Sequence, residues 1–564
     1  MYQPLKSTRE ALARATGDRV VRTVCQSCHA ECGVLARVRE GRLVKVEGDP
    51  EHPFNKGKAC VKGLSIAHML YHPARLRYPL RRVGERGEGK WQRISWEEAL
   101  EIASEGLLRV RERHGPESII ASAGTQPRGN FVTTIRLGQA LGTPNFFCPT
   151  HVCFLPAIAA GKITIGGEIM QETGPDYLNS RLIVIWGANP VISHPPRGRD
   201  VLEAVMDRGA RLIVIDPRMT ELAARADLWL QVRPGADDAL VLSWLNVIIN
   251  EGLYDEAFVE RWCKGFPELR ERVQEYTPER VAEITWVPAD LIRQAARMYA
   301  TVKPAAFHKR VAVEQHTNAF QTLRAMISLI AITGNIDVKG GNRFPQYPEG
   351  FISRNAIAFD PSRLLPPEVL ARRLGAEKFP FLLEPEVGWI VAHTPSGVEA
   401  MVSGRPYPIK GLIAFNNIAL NFEKSRAVWE GLKKLDFSLV SDFFMTPTAE
   451  MADLVLPAAM WPEKSEVCFA YYPNFITARV KAVEPQGECW DDKLMGMRLV
   501  RKMGVDPEGF YFPWNSVEEY NDYQVRGMGM SFSEFAERGY IVQERGERRY
   551  EASGFATPSG KVEL

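Results

Sequence analysis

Apolar and polar positions change period several times along the chain. VLARVREGRLVKVEGDP (34–50) alternates apolar and polar residues about a central glycine, the period-two pattern of a β-hairpin, inside a glycine-punctuated stretch over 20–75. At 95–113, Ala99, Leu100, Ile102, Leu107 and Leu108 recur at helical spacing behind Ser95 and Glu98, a capping box, and predict a helix. From 181 the pattern becomes strand–helix–strand. RLIVIW is a continuous apolar run, as a strand buried on both faces requires. A helix near 198–208 leads to a second strand, RLIVID, ending at Asp216; another helix begins at Asp237 and stops at Gly252, and one over 317–333 ends in TGN. This predicts a parallel α/β domain. The proline-rich segment 340–400 reads as a domain crossing. A second α/β pattern follows in KGLIAF (410–415), FSLVSDFF (437–444) and ADLVLPAAM (452–460). Two similar halves with Asn-, Thr- or Asp-bearing loops at their strand ends suggest two nucleotide-like sites.

A chain of 564 residues is too long for one core. Its 45% hydrophobic and 24% charged residues are ordinary for a soluble globular protein, and a net charge of +2 gives no electrostatic case for nucleic acid or an anionic membrane. No apolar stretch reaches the roughly 18 residues needed to cross a bilayer. The N-terminal segment before Cys25 has neither an apolar core nor a twin arginine, so the cytoplasm is the expected location. Nine cysteines, an odd number, argue against a disulfide framework.

Four of those cysteines point to metal. Cys25, Cys28 and Cys32 have the spacing C-x2-C-x3-C, and Cys60 follows in CVKG. A tight loop puts three sulfurs on one face, and one distant thiolate completes the ligand set of a [4Fe–4S] cubane. Structural zinc is one alternative, but its sites usually come as two paired knuckles and Cys60 has no paired cysteine nearby. Haem attachment is another, since Cys25-Gln-Ser-Cys28-His29 matches its motif, but it leaves Cys32 and Cys60 unexplained. Lys62, two residues past Cys60, is either a solvated lysine or a cation between two redox centres.

The chain resembles the molybdopterin oxidoreductases of the dimethyl sulfoxide reductase type. The resemblance runs from CQSCHAEC through CVKG, ISWEEAL, GTPN (142–145), WGANP (186–190), IDPR (215–218), RPGAD (233–237), TGNIDVKGG (333–341) and ADLVLP (452–457) to TPSGKVEL at the end. It implies a Mo or W ion held by two molybdopterin guanine dinucleotides, a [4Fe–4S] cluster, a small-molecule substrate and an iron–sulfur electron-transfer subunit as partner. One dinucleotide would be held by Gly187, Asn189, Asp216, Arg218, Gly235 and Asp237, the other by Asn416, Asp442, Thr446, Thr448 and Asp453, with Lys62 towards the pterin. An acid at a strand's C-terminal end faces the ligand crevice of an open α/β sheet, and a carboxylate can accept two hydrogen bonds from guanine. No G-x-G-x-x-G follows a strand, so a plain NAD site has little support. The implied metal ligand is Cys153, a soft thiolate, with Cys148 as the rival sulfur and His151 towards the substrate.

Domain limits are expected at 20–76 for the iron–sulfur domain, 77–145 with 340–480 for one α/β domain, 146–339 for the other with the metal ligand, and 481–564 for a return segment. The family's further C-terminal β-barrel domain would follow Leu564, as a separate domain or chain. Phe154 stands where formate dehydrogenases carry histidine, and EKSEV (463–467) lies nearer the thiosulfate/polysulfide and acetylene hydratase branches, as does Asp337 at a usual glycine. The leading expectation is oxygen-atom or two-electron transfer at the metal. The alternatives are a non-redox hydratase, whose aspartate after the second cluster cysteine is His29 here, and a non-catalytic electron-transfer subunit resembling the large subunit of NADH:quinone oxidoreductase.

Overall fold

The computed structural model describes residues 18–124, 130–380, 391–469 and 472–564, without the side chains of Asn130 and His151. The chain divides into two compact units. One comprises Met1–Pro149, Pro348–Ala470 and Phe475–Val542; the other comprises Thr150–Tyr347, Tyr471–Asn474 and Gln543–Leu564.

The first unit begins with the alternating segment. Strands Asp18–Val24, Gly33–Arg39 and Arg42–Gly48 form an antiparallel sheet, the last two joined at Gly41, whose φ of 75° suits the tight turn. Val34, Ala36, Val38, Leu43 and Val46 are buried on one face, and Cys25 lies in the same core. The larger sheet runs in the order Trp91–Arg93, Leu80–Arg82, Leu454–Pro457, Phe437–Asp442, Gly411–Phe415, Ile119–Ala123, Phe146–Phe147. Its last five strands are parallel, and the first two pair antiparallel at the edge. Ile119–Ala123 and Gly411–Phe415 are buried at every position, as central parallel strands must be. The predicted helix spans Trp96–His114; the Ser95 hydroxyl accepts from the Glu98 N–H at 3.2 Å and Gly115 (φ 81°) follows its end. A third, antiparallel sheet joins Glu466–Cys468, Phe475–Arg479 and Tyr540–Val542.

In the second unit, strands Leu228–Leu230, Arg211–Ile215, Leu182–Trp186 and Ala305–Lys309 form a wholly parallel sheet. The helices foreseen near 198–208, after Asp237 and over 317–333 are Pro195–Met206, Asp237–Asn250 and Ala319–Ile332. Trp186, Trp244 and Phe307 are fully buried in the core they enclose. The mixed α/β architecture, with parallel sheets and a small N-terminal β domain, is the one the sequence predicts. No described helix is long and apolar enough to cross a membrane.

Candidate functional site

The loop after strand Asp18–Val24 brings the first three cysteines together. The Cys25 N–H donates to the Cys32 carbonyl at 2.8 Å, closing the loop around Cys28. The Ser27 and Ala30 N–H groups point at the sulfurs of Cys25 and Cys28, at 3.4 and 3.5 Å. Cys60 precedes the short helix Val61–Leu64, and all four cysteines line one cavity with Ser27, Glu31, Val34, Ala59 and Gly63. At Gly63 a Cβ would lie 3.0 Å from the Cys25 sulfur, so a side chain there would press on that sulfur and shift it by a few tenths of an ångström. Burial, then the neighbouring Cys25, Cys28 and Cys60 sulfurs, push the Cys32 thiol well up; burial raises Cys25 as well. The Cys25 and Cys32 thiols, raised in this low dielectric, resist ionising until a cationic metal offsets their charge. Among the described residues no three His, Cys, Asp or Glu side chains are grouped to hold a single metal ion. Lys62 is exposed on the helix after Cys60.

At the C-terminal edge of the same unit's parallel sheet stand Asn416 and Asp442. The Asn416 side chain is buried, yet neither its Oδ1 nor its Nδ2 has a hydrogen-bond partner. A buried amide in that state leaves hydrogen-bonding capacity that a bound polar group could meet. Asp442 accepts from the Phe443 N–H at 2.7 Å and from the Thr446 hydroxyl at 3.0 Å. Thr446 caps the helix Pro447–Glu450. Thr448 is buried, donating to Asn417 Oδ1 at 2.7 Å and accepting from the Ala419 N–H at 3.0 Å, so its hydroxyl is engaged within the protein. Asp453 stands apart. It precedes strand Leu454–Pro457, hence lies at the sheet's opposite edge, where Arg82, Arg86 (2.7 Å) and Ser438 hold both carboxylate oxygens.

In the second unit Gly187, Asn189, Asp216, Arg218, Gly235 and Asp237 all follow C-terminal ends of strands in its parallel sheet. Gly187 has φ 56°, and a Cβ there would meet Ala312 and Val313 at 3.1 Å. Asn189 donates from Nδ2 to Glu221 at 3.1 Å, while its Oδ1 is buried without a partner. Asp216 accepts from the Arg218 N–H at 2.8 Å; Arg218 and Gly235 are exposed. Asp237, the first residue of its helix, accepts from the Trp186 indole at 2.6 Å, and burial raises its carboxyl. One sheet thus offers a buried amide with neither atom partnered, at Asn416, and the other a buried amide oxygen without a partner, at Asn189, which fits residues arranged for an extended polar cofactor.

Cys153 is half-buried after the turn Pro149–Val152, and its N–H donates to the Thr150 carbonyl at 3.0 Å. Burial first, and Glu314 second, raise its thiol, while Arg310 and Lys309 act the other way. Gln315 donates to the Val152 carbonyl at 2.8 Å, fixing the 310–316 loop against this turn. Around it sequence reasoning missed a charged set: the buried Lys309–Glu314 pair, and Arg310 on Glu172 at 3.1 Å. Burial opposes it, but Arg310 holds the Glu172 carboxyl down at about 2. The only sequence signal was a Lys-Arg pair and a glutamate in HKRVAVE. Cys148, in the first unit, is fully buried with its thiol 3.5 Å from the Gly124 carbonyl.

Comparisons with known proteins agree with this arrangement. Residues 75–499 match the family described as Molybdopterin oxidoreductase, and residues 18–72 match the Molybdopterin oxidoreductase Fe4S4 domain. The chain is 34% identical to acetylene hydratase of Syntrophotalea acetylenica, over 96% of this chain and 76% of that protein. It is 27% identical to the thiosulfate reductase molybdopterin-containing subunit PhsA of Salmonella typhimurium (96% and 71%), and 31% identical to formate dehydrogenase H of Escherichia coli (92% and 73%). The solved acetylene hydratase from Pelobacter acetylenicus matches with a TM-score of 0.89 at 33% identity, over 96% of this chain and 77% of that one. The chain belongs to the molybdopterin oxidoreductase family and carries its Fe4S4 domain at residues 18–72.

Proposed function

We propose that this chain is a redox enzyme for oxygen-atom or electron-pair transfer, whose residues would hold a Mo or W ion carried by two pterin guanine dinucleotides. Its four N-terminal cysteines would hold one [4Fe–4S] cluster, which would supply one-electron relay towards a partner protein. The observation that carries the reading is the ring of four cysteines around one cavity, with peptide N–H groups directed at two of the sulfurs. When bound, the metal–pterin centre supplies two-electron chemistry and the cluster supplies one-electron relay.

The chain's own residues then have defined tasks. Cys25, Cys28, Cys32 and Cys60 hold the cluster, and the Ser27 and Ala30 N–H groups stabilise charge on sulfur. Asn416 and Asn189 receive the polar edges of the two dinucleotides, with Asp442, Asp216 and Asp237 beside them. Cys153 is the metal-ligating thiolate; the side chain of His151, expected towards the substrate, lies outside the described residues. Cys148, buried against Gly124, is a packing cysteine. Arg310 and Lys309 favour the anionic sulfur of Cys153. Lys62 supplies an exposed cation after Cys60.

The similarity to acetylene hydratase favours a second reading, non-redox hydration. Against it, His29 rather than an acid follows Cys28. The test is to purify the chain without oxygen, assay bound metal and pterin, and measure both dye-coupled turnover with formate, nitrate, thiosulfate and polysulfide and the hydration of acetylene. Substrate-dependent dye turnover is expected. Acetylene hydration without any dye turnover would overturn the redox reading.

A further inference from the structure

Behind the cysteine cavity lies a buried charge network. Glu31, between Cys28 and Cys32, is fully buried and lines the cavity. Its φ is 47°, in the left-handed region that a residue with a long side chain seldom adopts. Glycine would sit there with less strain, so the carboxylate has to contribute something glycine cannot.

Two arginines face it. Glu31 Oε1 lies 3.4 Å from Arg354 Nη2 and 3.8 Å from Arg479 Nη2. Arg479, fully buried, donates from Nε to the carbonyl of Val24, the residue before Cys25, at 3.0 Å. Its Nη1 meets Glu466 at 2.5 Å. Glu466 lies 3.5 Å from Arg354 and 3.6 Å from Lys493, and Lys493 lies 3.2 Å from Asp491. The network therefore alternates in sign outward from the cluster loop: one carboxylate in the loop itself, two guanidinium groups next, further carboxylates and a lysine beyond. Arg479 ends a strand and Arg354 begins the helix Arg354–Ala358, so the cations sit on ordered elements.

We propose that Glu31 and Arg479 set the reduction potential of the N-terminal cluster, with Arg354 holding the Glu31 carboxylate in place. The inference rests on the cluster reading above. A thiolate-ligated cubane gains one negative charge on reduction. A fixed buried carboxylate beside it opposes that gain, and a fixed guanidinium favours it, because a water-poor site screens neither. Glu31 thus lowers the potential and Arg479 raises it. A purely structural staple would leave the potential alone.

The experiment is an EPR-monitored redox titration of the full chain, purified without oxygen, as wild type, Glu31→Gln and Arg479→Met. Iron content is measured on each sample. The expected result is a midpoint shifted upward in Glu31→Gln and downward in Arg479→Met, with iron loading as in the wild type. If Arg479→Met does not fold, Glu31→Gln, which keeps the side chain's shape, decides alone. A wild-type midpoint in Glu31→Gln, a downward shift, or loss of its cluster overturns the proposal. Absence of a cluster signal in the wild type itself would instead remove the reading beneath it.

Discussion

Asp337 adopts a left-handed conformation, φ 49°, which explains why glycine suits its position in TGNIDVKGG. The strain is offset by its side chain. The buried carboxylate accepts from the Arg549 N–H at 3.0 Å and from its guanidinium at 3.1 and 3.2 Å, and from the Phe344 N–H at 3.2 Å. Asp337 therefore anchors the 543–564 segment of its unit. Asp337→Ala keeps the strain and loses the anchor, a destabilisation on the order of 2–4 kcal/mol. Asp337→Gly should lose less, because glycine relieves the backbone; denaturant unfolding of the two variants checks the order. A like comparison separates the sulfurs. Cys153→Ala should abolish turnover with the cluster spectrum intact, whereas Cys148→Ala should cost stability and keep activity. The reverse pattern would make Cys148 the metal ligand. Cysteine spacing and strand-end acids were legible at this scale because they are local in sequence. The tasks of Thr448 and Asp453 were not, since they depend on Asn417, Arg82 and Arg86. Glu31 was equally hidden, with Arg354 lying 323 positions away.

Among elements, the central strands announced themselves as unbroken apolar runs, and helix Trp96–His114 by its cap. Ser95→Ala should cost about 1 kcal/mol of stability. Strand Ala305–Lys309 gave no such signal, because AAFHK ends in two polar residues that the fold buries completely. His308 Nδ1 meets the Tyr177 hydroxyl, though its Nε2 is buried without a partner, and Lys309 pairs with Glu314; no periodicity reveals these partners. Lys309→Met leaves the buried Glu314 carboxylate unpaired and should destabilise the protein by roughly 3–5 kcal/mol. Lys309→Met with Glu314→Gln should recover part of that loss. If the single variant unfolds at the wild-type denaturant concentration, the pair is not a stabilising element.

For the molecule as a whole, the buried imidazoles set the response to acid. Burial lowers His52 and His194 to about 4 and His308 to about 3, from an ordinary 6.5. The folded state keeps these rings neutral while the unfolded chain protonates them. Their stabilisation is therefore complete above pH 6.5 and falls as pH drops towards 4, by on the order of 2 kcal/mol per ring at pH 5. Burial raises Asp492 to about 6, so its contribution runs the other way, present at low pH and lost as pH rises through 6. Burial raises the Asp237 and Glu168 carboxyls in the same sense as Asp492. The three rings should outweigh these carboxyls, so that the thermal midpoint falls between pH 7 and pH 5; an unchanged midpoint would contradict this. The α/β layout was readable from the sequence because parallel strands are local runs, while the sheet order and the antiparallel edge at Leu80–Arg82 depend on pairings hundreds of positions apart.

The central claim is that Cys25, Cys28, Cys32 and Cys60 hold one four-iron cluster. Quantitative EPR of the dithionite-reduced chain, together with iron and zinc analysis of the same sample, tests it most directly. About four irons per chain and a cubane signal approaching one spin are predicted, with the signal lost in Cys60→Ala. Stoichiometric zinc without iron, or a haem absorption band, would contradict the account.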